Sequence, residues 1–335
     1  MNDLFFPLTA VAATFLVLIP LLTLGSRVAL SLNRRRAANW ASFGSEATFA
    51  WLVAPTLFPV LWLTSSVLHQ SEPAHNSDSC FINHMEATIC VDTLLLLGFL
   101  VVGMTGMIAV RLWREWPRAK LQRLGCEHDL VRRIMDTAEQ DAHLHSLRIV
   151  VVRKSTEPIY TLGLLRPIVV VDACFIRDSD PEVLHAVLLH EHAHIAGLDT
   201  LRGFLARLCL AVNPTSALLS PDFERWRAAR EAVCDSEAVH RGGEPLALAE
   251  GIVRAAKFRC EGLLSHGVAL CGHNGAALKL RLELLMNGPP APVRTIGHIV
   301  LAVGVFASLT TPHIDNLGLL EYFHFEVERL LHSLL

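Results

Sequence analysis

Hydrophobic residues gather into long, nearly unbroken blocks toward both ends of the chain, and only between about residues 116 and 293 do they thin into the shorter spacings of a globular unit. The blocks at 4–24, 47–68 and 93–113 each reach the length of about 20 residues that an α-helix needs to cross a bilayer. The second contains Pro55 and Pro59, which membrane helices tolerate where neighbours satisfy the freed backbone. A fourth block, 294–312, is entered at Arg294 and is shorter, and the 313–335 tail beyond it reads as an amphipathic segment outside. His298, alone in that last block, is read as packed or interfacial rather than as part of a proton relay.

The charges orient these blocks. Asp3 precedes the first block and Arg34, Arg35 and Arg36 follow it, the reverse of a cleavable signal peptide. Arg114, Arg118, Lys120 and Arg123 follow the third block, whereas the 69–92 loop has acids and no Lys or Arg. Positive-inside reasoning therefore puts the N-terminus and 69–92 outside and residues 114–293 in the cytoplasm of a multi-pass membrane protein. Cys80 and Cys90 share the outer loop and are expected to form a disulfide on compartment grounds. Cys126, Cys174, Cys209 and Cys234 lack Cys-x-x-Cys spacing and read as small buried hydrophobes. The formal net charge is −3, which leaves the lipid bilayer as a partner and gives no footing for a nucleic acid.

Within 114–293, Val131–His143 has helical spacing. Leu147–Val152 and Leu165–Val171 read as strands around a Ser155–Pro158 turn. A helix begins at Asp180-Pro181, with an acidic cap and proline in its first turn. Leu201–Leu219 is apolar but carries Arg202, Arg207 and Asn213-Pro214, so it is expected as a core or surface-lying helix and not as a span. Leu246–Phe258 and Ala276–Met286 add helices before the 288–292 linker. The expected fold class is α+β, mainly α-helical: four transmembrane helices and one cytoplasmic domain.

The chemistry lies in His190-Glu191-x-x-His194. Positions i and i+4 of a helix share a face, so both imidazoles can hold one zinc ion. Glu191 stands at the edge of that face, placed to act as general base. His185 and His192 fall on the far side and are poor ligands. Thr200 occupies the place where an extended motif would carry a third histidine, so the third ligand is sought on a later helix. Glu231 and Asp235, again at i and i+4, supply it: Glu231 as ligand, Asp235 as hydrogen-bond acceptor for the far nitrogen of a ligand histidine. Cys234 is read as pointing away from that face. Tyr160, His240 and His273 are the residues named as oxyanion donors, with no choice among them. Ile168, Val169, Val170 and Val171 are named as an edge strand for an extended peptide, a plain buried strand being the other reading.

Together these features resemble the BlaR and MecR membrane zinc peptidases, family 56 of the metallopeptidases. The resemblance rests on the 162–170 strand segment, the two metal motifs, Asn213-Pro214, Arg281-Leu282-x-Leu284-Leu285 and the arrangement of the apolar blocks. It implies a zincin-like, gluzincin-type domain with one zinc, and an antirepressor-like role in signal transduction. The implied substrate is a cytoplasmic protein such as a winged-helix repressor, or the chain itself. The large extracytoplasmic penicillin-binding domain of those sensors has no counterpart here. The alternatives are a quality-control metalloprotease of the heat-shock and CAAX-processing type and a catalytically idle membrane binding module.

Overall fold

The computed structural model describes residues 14–36, 46–70, 102–110, 123–125, 128–265, 275–287 and 297–314. A π-helical turn, Thr14–Leu18, leads into α1, Ile19–Arg36. Helix α2 is Glu46–Gln70, α3 covers residues 102–110, and α11, Gly297–Ile314, is the last described element. Among the described residues, two helices are long and apolar enough to cross a membrane, through Thr14–Leu32 and Ala47–Ser65. Residues 4–13 of the first expected block lie outside the described residues, and the apolar stretch runs on past Leu24. Arg27, which breaks the apolar run, pairs with the buried Asp222, and the helix continues past it. α11 packs along α2, where Gly304 has no room for a side chain: a Cβ there would lie 2.2 Å from the Phe58 ring. Small residues let membrane-type helices approach this closely. Ser65 Oγ donates to the Leu309 carbonyl across the same contact at 2.9 Å. Residues 71–100 (with Cys80 and Cys90), Cys126, His273 and 315–335 lie outside the described residues.

The described residues of the globular part are mainly helical and carry one small sheet. Helix α4, Asp129–Glu139, precedes β1, Ile149–Val152, then β2, Ile159–Leu162, and β3, Ile168–Asp172. The strand order is β1-β3-β2, with β3 parallel to β1 and antiparallel to β2. Ile168–Val171, expected as an edge, therefore lies at the centre of the sheet, hydrogen-bonded on both sides. Val169, Val170 and Val171 are fully buried, as a continuous β-branched run in a covered strand should be. The outer strands are β1 and β2, and Tyr160 of β2 pairs with Val170.

After β3 come α5, Ala173–Asp178, and α6, Pro181–Ala196. Pro181 starts α6, where a missing N–H costs nothing. Six apolar residues from Val183 to Leu189 bury it between α4, the sheet and α9, Pro245–Ser265. Helices α7, Asp199–Val212, and α8, Ser220–His240, follow, with a 3₁₀ turn at Ser216–Leu218 between them. Helix α10, Gly275–Met286, closes against α8 and α9.

A second apolar cluster joins Leu30, Phe49, Leu52 and Val53 of α1 and α2 to Ala206 and Cys209 of α7 and to Phe223, Trp226 and Ala229 of α8. Asn213 Nδ2 donates to Thr23 Oγ1 at 2.9 Å inside this contact. The helix expected over 201–219 is thus a core helix laid against α2, with Arg202 over the Phe49 ring.

Candidate metal centre

Helix α6 places His190 and His194 on the face that looks toward α8, and burial of the helix on its other sides keeps both rings in place. Their Nε2 atoms lie 3.2 Å apart. Glu231, projecting from the middle of α8, brings its two carboxylate oxygens to 3.7 Å from His190 Nε2 and 3.6 Å from His194 Nε2. Two nitrogens each about 2.0–2.1 Å from one tetrahedral ion would stand about 3.3 Å apart. The imidazole pair meets that spacing, and the carboxylate is within a few tenths of an ångström of it. The donor set, two imidazoles and a carboxylate, suits zinc.

Behind each imidazole stands a carboxylate. Asp199 Oδ2 accepts from His194 Nδ1 at 2.9 Å. Asp235 Oδ1 lies 2.9 Å from His190 Nδ1, close enough to pair with it but off the line of a hydrogen bond. Arg281 of α10 forks onto Asp235 through Nε and Nη2 at 2.7 and 2.8 Å, and its Nη1 lies 3.0 Å from Glu231. Arg230 holds Asp199 through its Nε and Nη2, which both donate to Oδ2, at 3.2 and 3.0 Å. That reach requires Gly197 after α6, since a Cβ there would sit 2.7 Å from the Arg230 Nη2.

The protonation balance follows from this charge pattern. Burial disfavours a proton on His190, but Asp235 and Glu231 outweigh it and raise the imidazole's pKa. Burial acts the same way on His194. The Cys234 sulfur, Asp199 and Glu231 turn the outcome, and the pKa is raised well above the usual value. The Cys234 thiol is itself pushed up to about 11 by burial, so it is uncharged at neutral pH and the carboxylates supply the field. Burial would raise Glu231, yet Arg281 and the two imidazoles hold it well below the ordinary carboxylate range. A site this favourable to positive charge at the imidazoles is one where a dication can take the place of the protons.

Glu191 is buried next to His190, and Thr161 Oγ1 of β2 donates to its Oε2 at 2.7 Å. A cavity of about 420 Å³ opens in front of these groups, bordered by the edge strand at Ile159, Tyr160 and Thr161. The structure brings His190, Glu191, His194, Glu231 and Asp235 together as their spacing suggested. Tyr160 borders the cavity. His240 does not: it is exposed near the end of α8, with Nδ1 2.6 Å from the Ser236 carbonyl oxygen. Nine residues of helix carry it about 13 Å beyond Glu231.

His185 and His192 stay out of the site, on Asp141 at 2.8 Å and on Arg241 respectively. Cys234 points inward, contrary to expectation, with Sγ 3.3 Å from His194 Nδ1. Position i+3 lies on the same helix face as Glu231. Cys174 is exposed on the short α5, contrary to the expected burial, whereas Cys209 is buried. Asp199, Thr161, Arg230 and Arg281 carried no site role in the sequence reading. An acid opening a helix just after the motif was the one hint for Asp199.

A His-Glu-x-x-His helix, a glutamate from a second helix and membrane-length apolar helices define the class: a membrane-associated metallopeptidase. The family described as BlaR1 peptidase M56 matches residues 27–250, more than half of the chain, and the chain belongs to that family. The match runs from Arg27 in α1 into α9 and includes all five motif residues. No curated protein and no solved structure matches the chain.

Proposed function

We propose that the protein is a zinc-dependent endopeptidase, embedded in the membrane by four helices, that cleaves a cytoplasmic protein or itself in signal transduction. A winged-helix repressor is the substrate type the family likeness favours. The observation that carries the reading is the convergence of both Nε2 atoms and the Glu231 carboxylate beside a buried, hydrogen-bonded Glu191.

His190 Nε2, His194 Nε2 and Glu231 would hold the zinc, which when bound supplies a Lewis acid that polarises a peptide carbonyl and makes water more acidic. Thr161 occupies Oε2 of Glu191, so Oε1 is the atom that takes the proton from the attacking water. The same carboxyl then returns the proton to the leaving amine nitrogen. The open side of β2 offers backbone groups to an extended segment of substrate, aligning its carbonyl with the site. Tyr160 on that strand borders the cavity and would donate a hydrogen bond to the developing oxyanion.

The test compares wild type with Glu191→Gln in membranes, following loss of a cytoplasmic substrate and measuring zinc in both. Glu191 is not a ligand, so the variant should keep its zinc while turnover falls about 10²–10⁴-fold. Equal substrate loss in the two proteins would rule the mechanism out. Biological activity without proteolysis in either would identify a binding platform.

A further inference from the structure

Helices α7 and α8 and the turn between them run along α1 and α2, and those two helices serve as rulers for how far. On α1, Asn213 at the turn bonds to Thr23. Thr23 lies nine residues inside the Leu32 end of the apolar stretch Thr14–Leu32, about 13 Å at the helical rise. Measured instead from Arg27, the one charge within that stretch, Thr23 is still a turn further in, about 6 Å. On α2 the level is marked by Phe49, two residues inside Ala47–Ser65: Arg202 lies over its ring and Trp226 against it. From there α8 runs six residues back from Trp226 to Ser220, about 9 Å, and α7 covers more between Arg202 and Asn213. Both rulers carry the turn past the ends of the apolar stretches and alongside their interior, where Leu57 of α2 and Leu210 of α7 pack on one buried cluster.

The turn itself has the composition and bonding that lipid demands. From Leu208 to Pro221 there is no charged side chain; charges resume at Arg207 on α7 and at Asp222, Glu224 and Arg225 on α8. The side chains that face outward in the uncharged segment are Ala211, Pro214, Ala217, Leu218, Ser220 and Pro221. Polar groups there are satisfied within the chain. Asn213 Oδ1 accepts from the Thr215 N–H and hydroxyl at 2.8 and 2.9 Å, and Ser220 Oγ donates to the Ser216 carbonyl at 2.9 Å. The N–H groups of Asn213, Ser216, Leu218 and Leu219 bond to carbonyls of the turn or of α7, and Pro214 and Pro221 have none to satisfy. A turn in water can leave such groups to the solvent, whereas one in hydrocarbon cannot.

We propose that the α7–α8 turn dips into the adjoining leaflet of the bilayer, a re-entrant contact between the globular part and lipid acyl chains. Its outward side chains then continue the lipid-facing surface of α1, on which Leu21, Leu22, Leu24 and Val28 are all exposed. Non-spanning backbone is tolerated at membrane depth where protein backs it, and α1 and α2 supply that backing. The depth given by α1, about 6–13 Å, overlaps the ~5–10 Å at which interfacial segments bury their apolar faces. The proposal rests on the membrane placement of α1 and α2 and not on the zinc chemistry.

The experiment uses the full chain in lipid nanodiscs. Ala211, Ala217 or Leu218 is replaced by a ketone-bearing residue that carries a nitroxide, so that no cysteine is altered. Leu21 on α1 and Glu182 on α6, both exposed, are labelled as references for lipid and for water. Electron paramagnetic resonance reads collision with oxygen, which dissolves in hydrocarbon, and with a nickel chelate, which stays in water. The oxygen-to-nickel ratio at the three turn positions should exceed that at Glu182 by about 10-fold and approach that at Leu21. A second arm needs no label: Leu218→Asp should speed hydrogen exchange across 213–220 by about 10-fold or more in the bilayer. A turn in water would change by no more than about 2-fold. Should the labelled chains fail to fold, this arm decides alone, and an unchanged rate overturns the proposal.

Turn labels that behave like Glu182, while Leu21 behaves as a lipid-facing residue, would overturn the proposal and place the turn in water. Labels shielded from both reagents, with dipolar broadening that vanishes on dilution with unlabelled chain, would overturn it in favour of a second copy covering the turn. A Leu21 label in water would bring down the proposal together with the membrane reading of α1. Each of these results is distinct from loss of Glu191-dependent cleavage, which bears on the peptidase alone.

Discussion

Arg281→Met gives the most direct test of the electrostatics behind the metal centre. The side chain forks onto Asp235 at 2.7 and 2.8 Å, and Asp235 is only 3% exposed. Methionine keeps much of the volume but strands that carboxylate without its cation. Breaking a buried pair from one side costs about 3–5 kcal/mol. The 3.0 Å contact to Glu231 adds little, because that side chain is 40% exposed to the cavity. For a protein of this size the loss lowers the Tm by on the order of 10 °C.

The assay is thermal unfolding of the full chain in detergent with a chelator present, as a function of pH. Burial alone would raise the pKa of Asp235; Arg281 is the main cause that lowers it below the ordinary value. A depressed carboxyl stabilises the fold above its unfolded pKa of about 3.9, and the gain is lost as pH falls through the folded value. In the variant burial acts with less opposition, so Asp235 takes up a proton sooner on acidification. The gap between wild type and variant should therefore be widest near pH 7 and narrow toward pH 4. Asp235→Asn in the same background should recover about 2 kcal/mol or more as coupling energy. A variant within about 1 kcal/mol of wild type at pH 7, or a purely additive cycle, would refute the argument.

Alanine at His190, His194 or Glu231 should abolish stoichiometric zinc, and Asp235→Asn should weaken binding by about 10–100-fold, both read by metal analysis after dialysis; unchanged affinity in His190→Ala would place the metal elsewhere. Thr161→Val should leave zinc content intact and lower kcat by about 10-fold through loss of one hydrogen bond to Glu191, so an unchanged kcat would remove Thr161 from the machinery. A reporter fused after Leu124 should prove cytoplasmic and one within Ser71–Asn83 external; labelling of the second from the cytoplasmic side alone would invert the topology.

The ligand helix was legible because its two constraints are local. The i, i+4 spacing of His190 and His194, and of Glu231 and Asp235, fixes a shared face whatever surrounds the helix. The groups that tune the ligands were not legible for the opposite reason. Thr161 reaches Glu191 across 30 residues of sequence, Arg230 reaches Asp199 across 31, and Arg281 reaches Asp235 across 46. Spacing carries no record of such contacts.

The sheet was open to a better reading. Four consecutive β-branched residues at Ile168–Val171 mark a strand covered on both faces, while the mixed Ile159-Tyr160-Thr161-Leu162 is what an edge beside a wet cleft requires. The partner of Arg27 was out of reach of spacing as well. A charge ends an apolar run on paper, but Asp222, 195 residues away, accepts it in the fold.

The contact between α1, α2 and the start of α8 has a practical consequence for anyone wishing to study the metal centre apart from its anchor. Trp226 lies against Phe49 and carries Phe223 stacked on it, and Asp222 is buried beneath Arg27. A fragment cut from about Trp116 onward would turn this apolar face out to water and leave Asp222 with only the half-exposed Arg225 at 3.1 Å. The same rigid rod that begins at this seam carries Glu231 a little over two turns later. Excision would thus remove a wall from the room in which the chemistry takes place. The unit that folds around the candidate metal centre includes α1 and α2, and a fragment meant to keep that centre intact has to retain both.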